Sequence, residues 1–161
     1  MKIKKFRFLL FTPAIILMCF IYSLSGADGE ESSSLSLKVT RGIVNCIDKV
    51  FSLDENEEQD LVGKLHLPVR KLAHMSEYAL LYLLIYLPLL TYKLKGKMLY
   101  YIIPLISSFL YACSDEYHQS MIDARCGCFS DVLIDTSGAV LMGLALLGVS
   151  WLRGRRKRVR S

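Results

Sequence analysis

Three short polar stretches of this chain carry side chains able to move protons, hold a cation or clamp an anion. They are Arg70-Lys71-Leu72-Ala73-His74-Met75-Ser76-Glu77-Tyr78, Asp115-Glu116-Tyr117-His118-Gln119, and the pair Asp131 and Asp135. The spacings 70/74/78 and 74/77 are helical steps of four and three, so one helix face carries Arg70, His74, Glu77 and Tyr78. With about 1.5 Å of rise per residue, Glu77 lies roughly 9 Å further along that helix than Lys71. Asp115 shares a face with His118 and Gln119, and Asp131 and Asp135 share one with Gly138.

Three chemistries fit this inventory. His74 or His118, oriented by a carboxylate, can act as general base or acid near neutral pH. Arg125, with Arg70 and Lys71, can clamp a phosphate or pyrophosphate, because forked guanidinium donors match its oxygens. Oxygen and imidazole donors at His74, Glu77, Asp115, His118, Asp131 and Asp135 can hold a divalent metal, although no spacing among them is diagnostic. The candidate catalytic residues are therefore His74, Glu77, Asp115, His118 and Asp135. The candidate substrate-binding residues are Arg70, Lys71, Tyr78, Glu116, Gln119, Arg125 and Asp131. The competing reading is an interhelical ion-pair network that only fixes assembly. Against it, a small bundle can pack with far fewer costly groups.

The elements that must position these residues are membrane helices. A content of 53% hydrophobic residues and a mean hydropathy of +0.36 are high for a soluble fold, and the apolar residues are bunched. Four runs, about 8–24, 72–92, 98–118 and 132–152, approach the roughly 20 residues needed to cross the hydrocarbon core. The expected fold is all-α, an integral membrane four-helix bundle with short extracytoplasmic loop helices, forming one domain over 1–161. The first run also resembles a signal peptide, with Lys2 to Arg7 as a charged n-region. Its apolar stretch is longer than a usual signal core, so retention is expected.

Basic residues set the expected orientation. Lys2, Lys4, Lys5 and Arg7 precede the first run, and Lys93, Lys95 and Lys97 separate the second and third. The tail 153–161 holds Arg153, Arg155, Arg156, Lys157, Arg158 and Arg160. Thirteen of the 20 Lys and Arg residues lie in these segments, and none of the 15 Asp and Glu residues does. Positive-inside bias then makes the chain multi-pass with both termini cytoplasmic and turns all three polar stretches outward. The basic tail needs no nucleic acid to explain it, and membrane lipids are the expected partners.

The outer segment 26–69 opens with a stretch rich in glycine, serine and acids, Gly26 to Ser34, read as a loop. Val39, Ile43, Ile47, Val50 and Phe51 then form an apolar helical stripe, suited to the membrane surface or to a lid across the bundle. Asp54 followed by Glu57 resembles a capping box, which predicts a short helix from Glu55 to about Leu65. Pro68 is expected to reset the chain before the second span. Pro13, Pro88 and Pro104 lie in apolar runs, where membrane helices tolerate them. Five cysteines give no pattern that specifies zinc; Cys126 and Cys128 lack a second pair.

Read in order, these stretches resemble the VanZ-like family of small bacterial membrane proteins. The carriers are Arg-Lys-x-Ala-His-x-x-Glu-Tyr at 70 to 78, Asp-Glu-x-His-Gln at 115 to 119, Arg125, and Asp-x-x-x-Asp-x-x-Gly at 131 to 138. Departures are Ala124, where the family often has glycine, and Met75, where it often has phenylalanine. The resemblance implies a link to the bacterial cell envelope and, through the namesake, resistance to the glycopeptide teicoplanin; it brings no catalytic mechanism. The expectation is an outer-leaflet pocket, roofed by helices from about Val39 to Leu65, that binds an anionic envelope lipid or lipid-linked cell-wall precursor. Two alternatives are a metal-assisted hydrolase or transferase acting on a lipid phosphate, and a noncatalytic scaffold.

Overall fold

The apolar runs fold as helices whose backbone groups are satisfied internally, as a lipid environment requires. A computed structural model describes residues 2–26, 29–121 and 128–159. A run of 3-10 turns, Lys2–Phe11, bends at Phe6 and leads into α1, Thr12–Gly26. Pro13 falls in the first turn of α1, where its missing N–H is not needed. The other helices are α2, Gly29–Phe51; α3, Glu55–Leu89; α4, Leu99–Gln119; and α5, Phe129–Val159. The described chain is all-helical.

Three helical stretches are long and apolar enough to cross a membrane: Phe6–Ser25, Glu55–Leu89 and Phe129–Arg155. The protein is thus a membrane protein by composition. α4 misses that standard because its tyrosines and its polar end, Asp115 to Gln119, dilute the apolar run. Many apolar side chains stay exposed around the helices, among them Ile15, Ile16, Leu80, Leu110, Leu141 and Leu144. Such a surface suits hydrocarbon.

The outer segment differs from its expected form. α2 begins at Gly29, so helix occupies part of the stretch expected to be a loop. Its packed face carries Thr40 and Val44, both fully buried, while Val39, Ile43, Val50 and Phe51 remain exposed. The apolar stripe is thus not the face laid on α3. Ser52, at a φ of 52°, ends α2, and its amide donates to the Asp48 carbonyl at 2.7 Å. Asp54 then caps α3: its carboxylate accepts from the Asn56 and Glu57 amides, and the Glu57 side chain returns to the Asp54 amide. The capping box is as the sequence predicts.

Pro68 does not reset the chain. The expected short helix and second span are one 35-residue helix that includes both Pro68 and Pro88. Apolar positions Leu61, Leu65, Val69 and Leu72 carry the helical pattern through Pro68, which removes only one ladder bond. At about 1.5 Å per residue α3 is roughly 52 Å long, well beyond a hydrocarbon core of about 30 Å. α5 likewise continues through the basic residues that follow Leu152.

α1, α3, α4 and α5 share a core of Ala14, Tyr78, Leu81, Ala112 and Val132. α3 and α5 make the most extensive contact. Gly138 decides it, because a Cβ there would collide with the Met75 backbone carbonyl. Further along, a Cβ at Gly143 would lie 2.9 Å from the Tyr82 hydroxyl, which itself donates to the Tyr101 carbonyl at 3.1 Å. Small residues let helices approach where packing, not the hydrophobic effect, drives association.

Gly138→Val is expected to destabilise the protein by about 3 kcal/mol or more, since the obstacle is backbone and cannot turn aside. Gly148→Ala, which meets nothing within 4 Å, is expected to be close to neutral. Thermal unfolding in a mild detergent measures both.

Candidate functional site

The C-terminal end of α1, the middle of α3, the end of α4 and the start of α5 meet at one end of the bundle that these four helices form. Asp115 lies at their junction, 2% exposed. Its Oδ2 accepts from Ser25 Oγ at 2.9 Å and from Gln119 Nε2 at 3.1 Å, which joins α4 to the end of α1. Gln119 also reaches Ser25 Oγ, at 3.3 Å. Oδ1 of Asp115 has no hydrogen-bond partner among the described residues. The i, i+4 relation of Asp115 and Gln119 was visible in the sequence; the role of Ser25, 90 positions away, was not.

Glu116, 7% exposed, turns the other way. Its Oε1 accepts from the Cys128 amide at 2.8 Å and so steadies the approach to α5. His118 stacks on Tyr22, with ring centroids 4.1 Å apart, and its Nδ1 has no partner among the described residues. Asp135, 4% exposed, shares an electrostatic neighbourhood with Asp115, Glu116, Asp131 and Glu77. Asp131 is half-buried in the first turn of α5, where a carboxylate also favours the positive end of the helix.

On α3, His74 Nδ1 stands 3.5 Å from Glu77 Oε2, and both side chains are partly buried. Tyr78 is fully buried among the core residues, and its hydroxyl has no partner among the described residues. Asp115, Asp135 and Glu77 are its electrostatic neighbours, and Tyr111 lies with its ring centroid 6.2 Å away. Tyr111 donates to the Met18 carbonyl at 2.5 Å, a second tie between α4 and α1. Lys71 is exposed and lies off the face shared by Arg70, His74 and Glu77.

A cavity of about 260 Å³ opens beside this cluster. Phe20, Ile21 and Leu24 of α1, Leu35 and Val39 of α2, and Val69 and Ala73 of α3 supply its apolar wall. Arg70, His74 and Glu77 line it from α3, with Ser25 and Ser36 opposite. α2 therefore forms a side wall through Leu35, Ser36 and Val39. Ser36 is held in place by a 2.9 Å contact with His66 Nε2. The apolar wall was missed in the sequence because those residues read simply as membrane or stripe positions.

The described residues bring together His74, Glu77, Tyr78, Asp115, Glu116, His118, Gln119, Asp131 and Asp135, with Arg70 on the adjoining cavity. Arg125 and Cys126 lie outside the described residues. No three His, Cys, Asp or Glu side chains among the described residues are grouped as a metal site requires. What the arrangement offers is one cation, two histidines and several carboxylates beside an apolar cavity.

Ser25→Ala removes a donor from a buried carboxylate and is expected to cost about 1.5–3 kcal/mol. Ser23→Ala, at an exposed position of the same helix, serves as the control. Comparing their unfolding midpoints tests whether Asp115 depends on α1.

The sequence matches the family described as VanZ/LLP1 over residues 9–150, nearly the whole chain. No curated protein and no solved structure matches it.

Proposed function

The chain belongs to the VanZ/LLP1 family, and from that premise we propose that it is a four-crossing protein of the bacterial cell membrane that holds a phosphate-bearing, anionic envelope lipid or lipid-linked cell-wall precursor beside Arg70. α4 supplies the fourth crossing: its 21 residues extend about 31 Å, enough for the hydrocarbon core. The basic segments support the orientation. Arg7 donates to the Thr91 carbonyl at 2.5 Å and lies 5.8 Å from the Tyr92 ring, so the chain start and the loop between α3 and α4 share one end. Positive-inside bias puts that end, and both termini, in the cytoplasm. The cavity then opens toward the outer leaflet.

The observation that carries the reading is Arg70. It lines a largely apolar cavity and has no hydrogen bond or ion pair among the described residues. A guanidinium at the mouth of an apolar recess suits an amphiphile with a phosphate head, because it offers charge and paired N–H donors where the tail can remain in hydrocarbon. Arg125 is proposed to add a second donor, with Glu77, Asp115, Asp131 and Asp135 as orienting or ligating carboxylates. Holding such a lipid alters what lies at the outer surface, and through it the susceptibility to glycopeptides such as teicoplanin.

Native mass spectrometry of gently extracted protein tests this. Wild type is expected to retain a phosphate lipid above its bulk abundance, and Arg70→Gln to lower that retention about tenfold, as loss of a charge-assisted contact implies. Folded wild type with no enriched lipid overturns the proposal.

The His74–Glu77 pair supports a second reading. Both side chains line the cavity at 3.5 Å from each other, and a histidine oriented by a carboxylate can draw a proton from water attacking a lipid phosphate ester. A hydrolase of this kind is expected to release free phosphate or phospho-head group, and His74→Ala to lower the rate at least a hundredfold. Turnover unchanged in a folded His74→Ala variant removes this reading.

A further inference from the structure

Arg70, His74 and Glu77 follow one another along one face of α3, and all three line the same cavity. Positive charge thus stands at one end of the row and a carboxylate at the other, roughly 10 Å apart along the helix axis. His74 lies between them. Its 3.5 Å approach to Glu77 is an ion-pair distance and not a hydrogen bond, so that carboxylate keeps capacity for a donor. One layer behind, Asp115 has an Oδ1 without a hydrogen-bond partner among the described residues, although its side chain is 98% enclosed. On the cavity wall itself Glu77 is the carboxylate with an acceptor to spare, and Asp115 is enclosed behind the lining residue Ser25.

A head group bearing only negative charge would satisfy Arg70 and leave Glu77 facing an anion. A phosphocholine head brings a positive charge but no N–H to donate. A phosphate joined to a primary ammonium satisfies both ends: the phosphate oxygens accept from the guanidinium, and the ammonium donates to the carboxylate. The apolar wall of Phe20, Leu24, Leu35 and Val69 receives the start of the chains.

We propose that this cavity selects a zwitterionic lipid head group, placing its phosphate on Arg70 and its primary ammonium on Glu77. The assignment rests on the phosphate contact with Arg70 proposed above and departs from that reading in the net charge of the lipid, which is zwitterionic rather than anionic.

The test uses full-length protein with phosphatidylethanolamine, phosphatidylglycerol and phosphatidylcholine of matched chains, binding being read by native mass spectrometry. Wild type is expected to bind phosphatidylethanolamine about tenfold more tightly than the other two, the scale of one added charge-assisted hydrogen bond. Glu77→Gln is expected to bring phosphatidylethanolamine down to the level of phosphatidylcholine without weakening phosphatidylglycerol, and Glu77→Asp to restore part of the preference. Arg70→Gln should weaken all three. Equal binding of phosphatidylethanolamine and phosphatidylglycerol by wild type, or a preference that survives Glu77→Gln, overturns the ammonium assignment. The phosphate reading then stands if Arg70→Gln still weakens both. No binding of any of the three by folded wild type overturns the zwitterionic assignment, and the phosphate reading is then decided by whether gently extracted protein retains any phosphate lipid. If Glu77→Gln does not fold, discrimination by wild type among the three lipids decides the matter.

Discussion

Where α5 crosses α3, Gly138 lies directly against the Met75 backbone, leaving no room for a side chain. That contact sets the register of the two longest helices, and the site depends on the register. Asp135 is one turn before Gly138, while Glu77 and Tyr78 follow Met75, so the close crossing brings the carboxylates and phenol into one neighbourhood. Gly143 repeats the device against Tyr82, whose hydroxyl reaches the Tyr101 carbonyl on α4. In lipid, where apolar burial gives helices little reason to associate, close packing and interhelical hydrogen bonds supply the drive.

Once assembled in this way, the helices enclose more acid than stability alone favours. Asp115, Glu116 and Asp135 are all under 10% exposed, and an unpaired buried carboxylate is expensive. Local donors meet part of that demand: Ser25 and Gln119 at Asp115, and the Cys128 amide at Glu116. Apolar residues of similar volume would pack such a junction at lower cost. The incomplete satisfaction at Asp115, His118 and Tyr78 among the described residues, beside a cavity that carries Arg70, is the observation on which the proposed ligand-binding role draws.

The two ends of the bundle formed by α1, α3, α4 and α5 differ in kind. At one, carboxylates and histidines from three helices meet the end of α1; at the other, Arg7 is tied to Thr91 and Tyr92 near Lys93, Lys95 and Lys97. A chain polarised in this way has one favourable orientation across a bilayer. The proposed orientation, and with it the proposed presentation of the site to one leaflet, draws on this same distribution of charge.

Composition and periodicity were enough to establish a helical membrane protein, the face shared by Arg70, His74 and Glu77, and the capping box at Asp54, while the ordered motifs carried the resemblance to the family. Each of these is a local property: hydropathy over a run, a step of three or four residues, or an ordered motif. Continuity of α3 through Pro68 was not legible, because the tendency of proline to break a helix was outweighed by apolar pattern and packing on either side of it. Nor was the face by which α2 packs, since Thr40 and Val44 are buried while the more conspicuous stripe at Val39, Ile43 and Val50 is left exposed. The tie from Ser25 to Asp115, the stack of Tyr22 on His118, and the cavity itself join segments up to 90 positions apart. Helical spacing says which side chains share a face, but which faces meet depends on how closely two backbones can approach, and that was decided in three dimensions at Gly138.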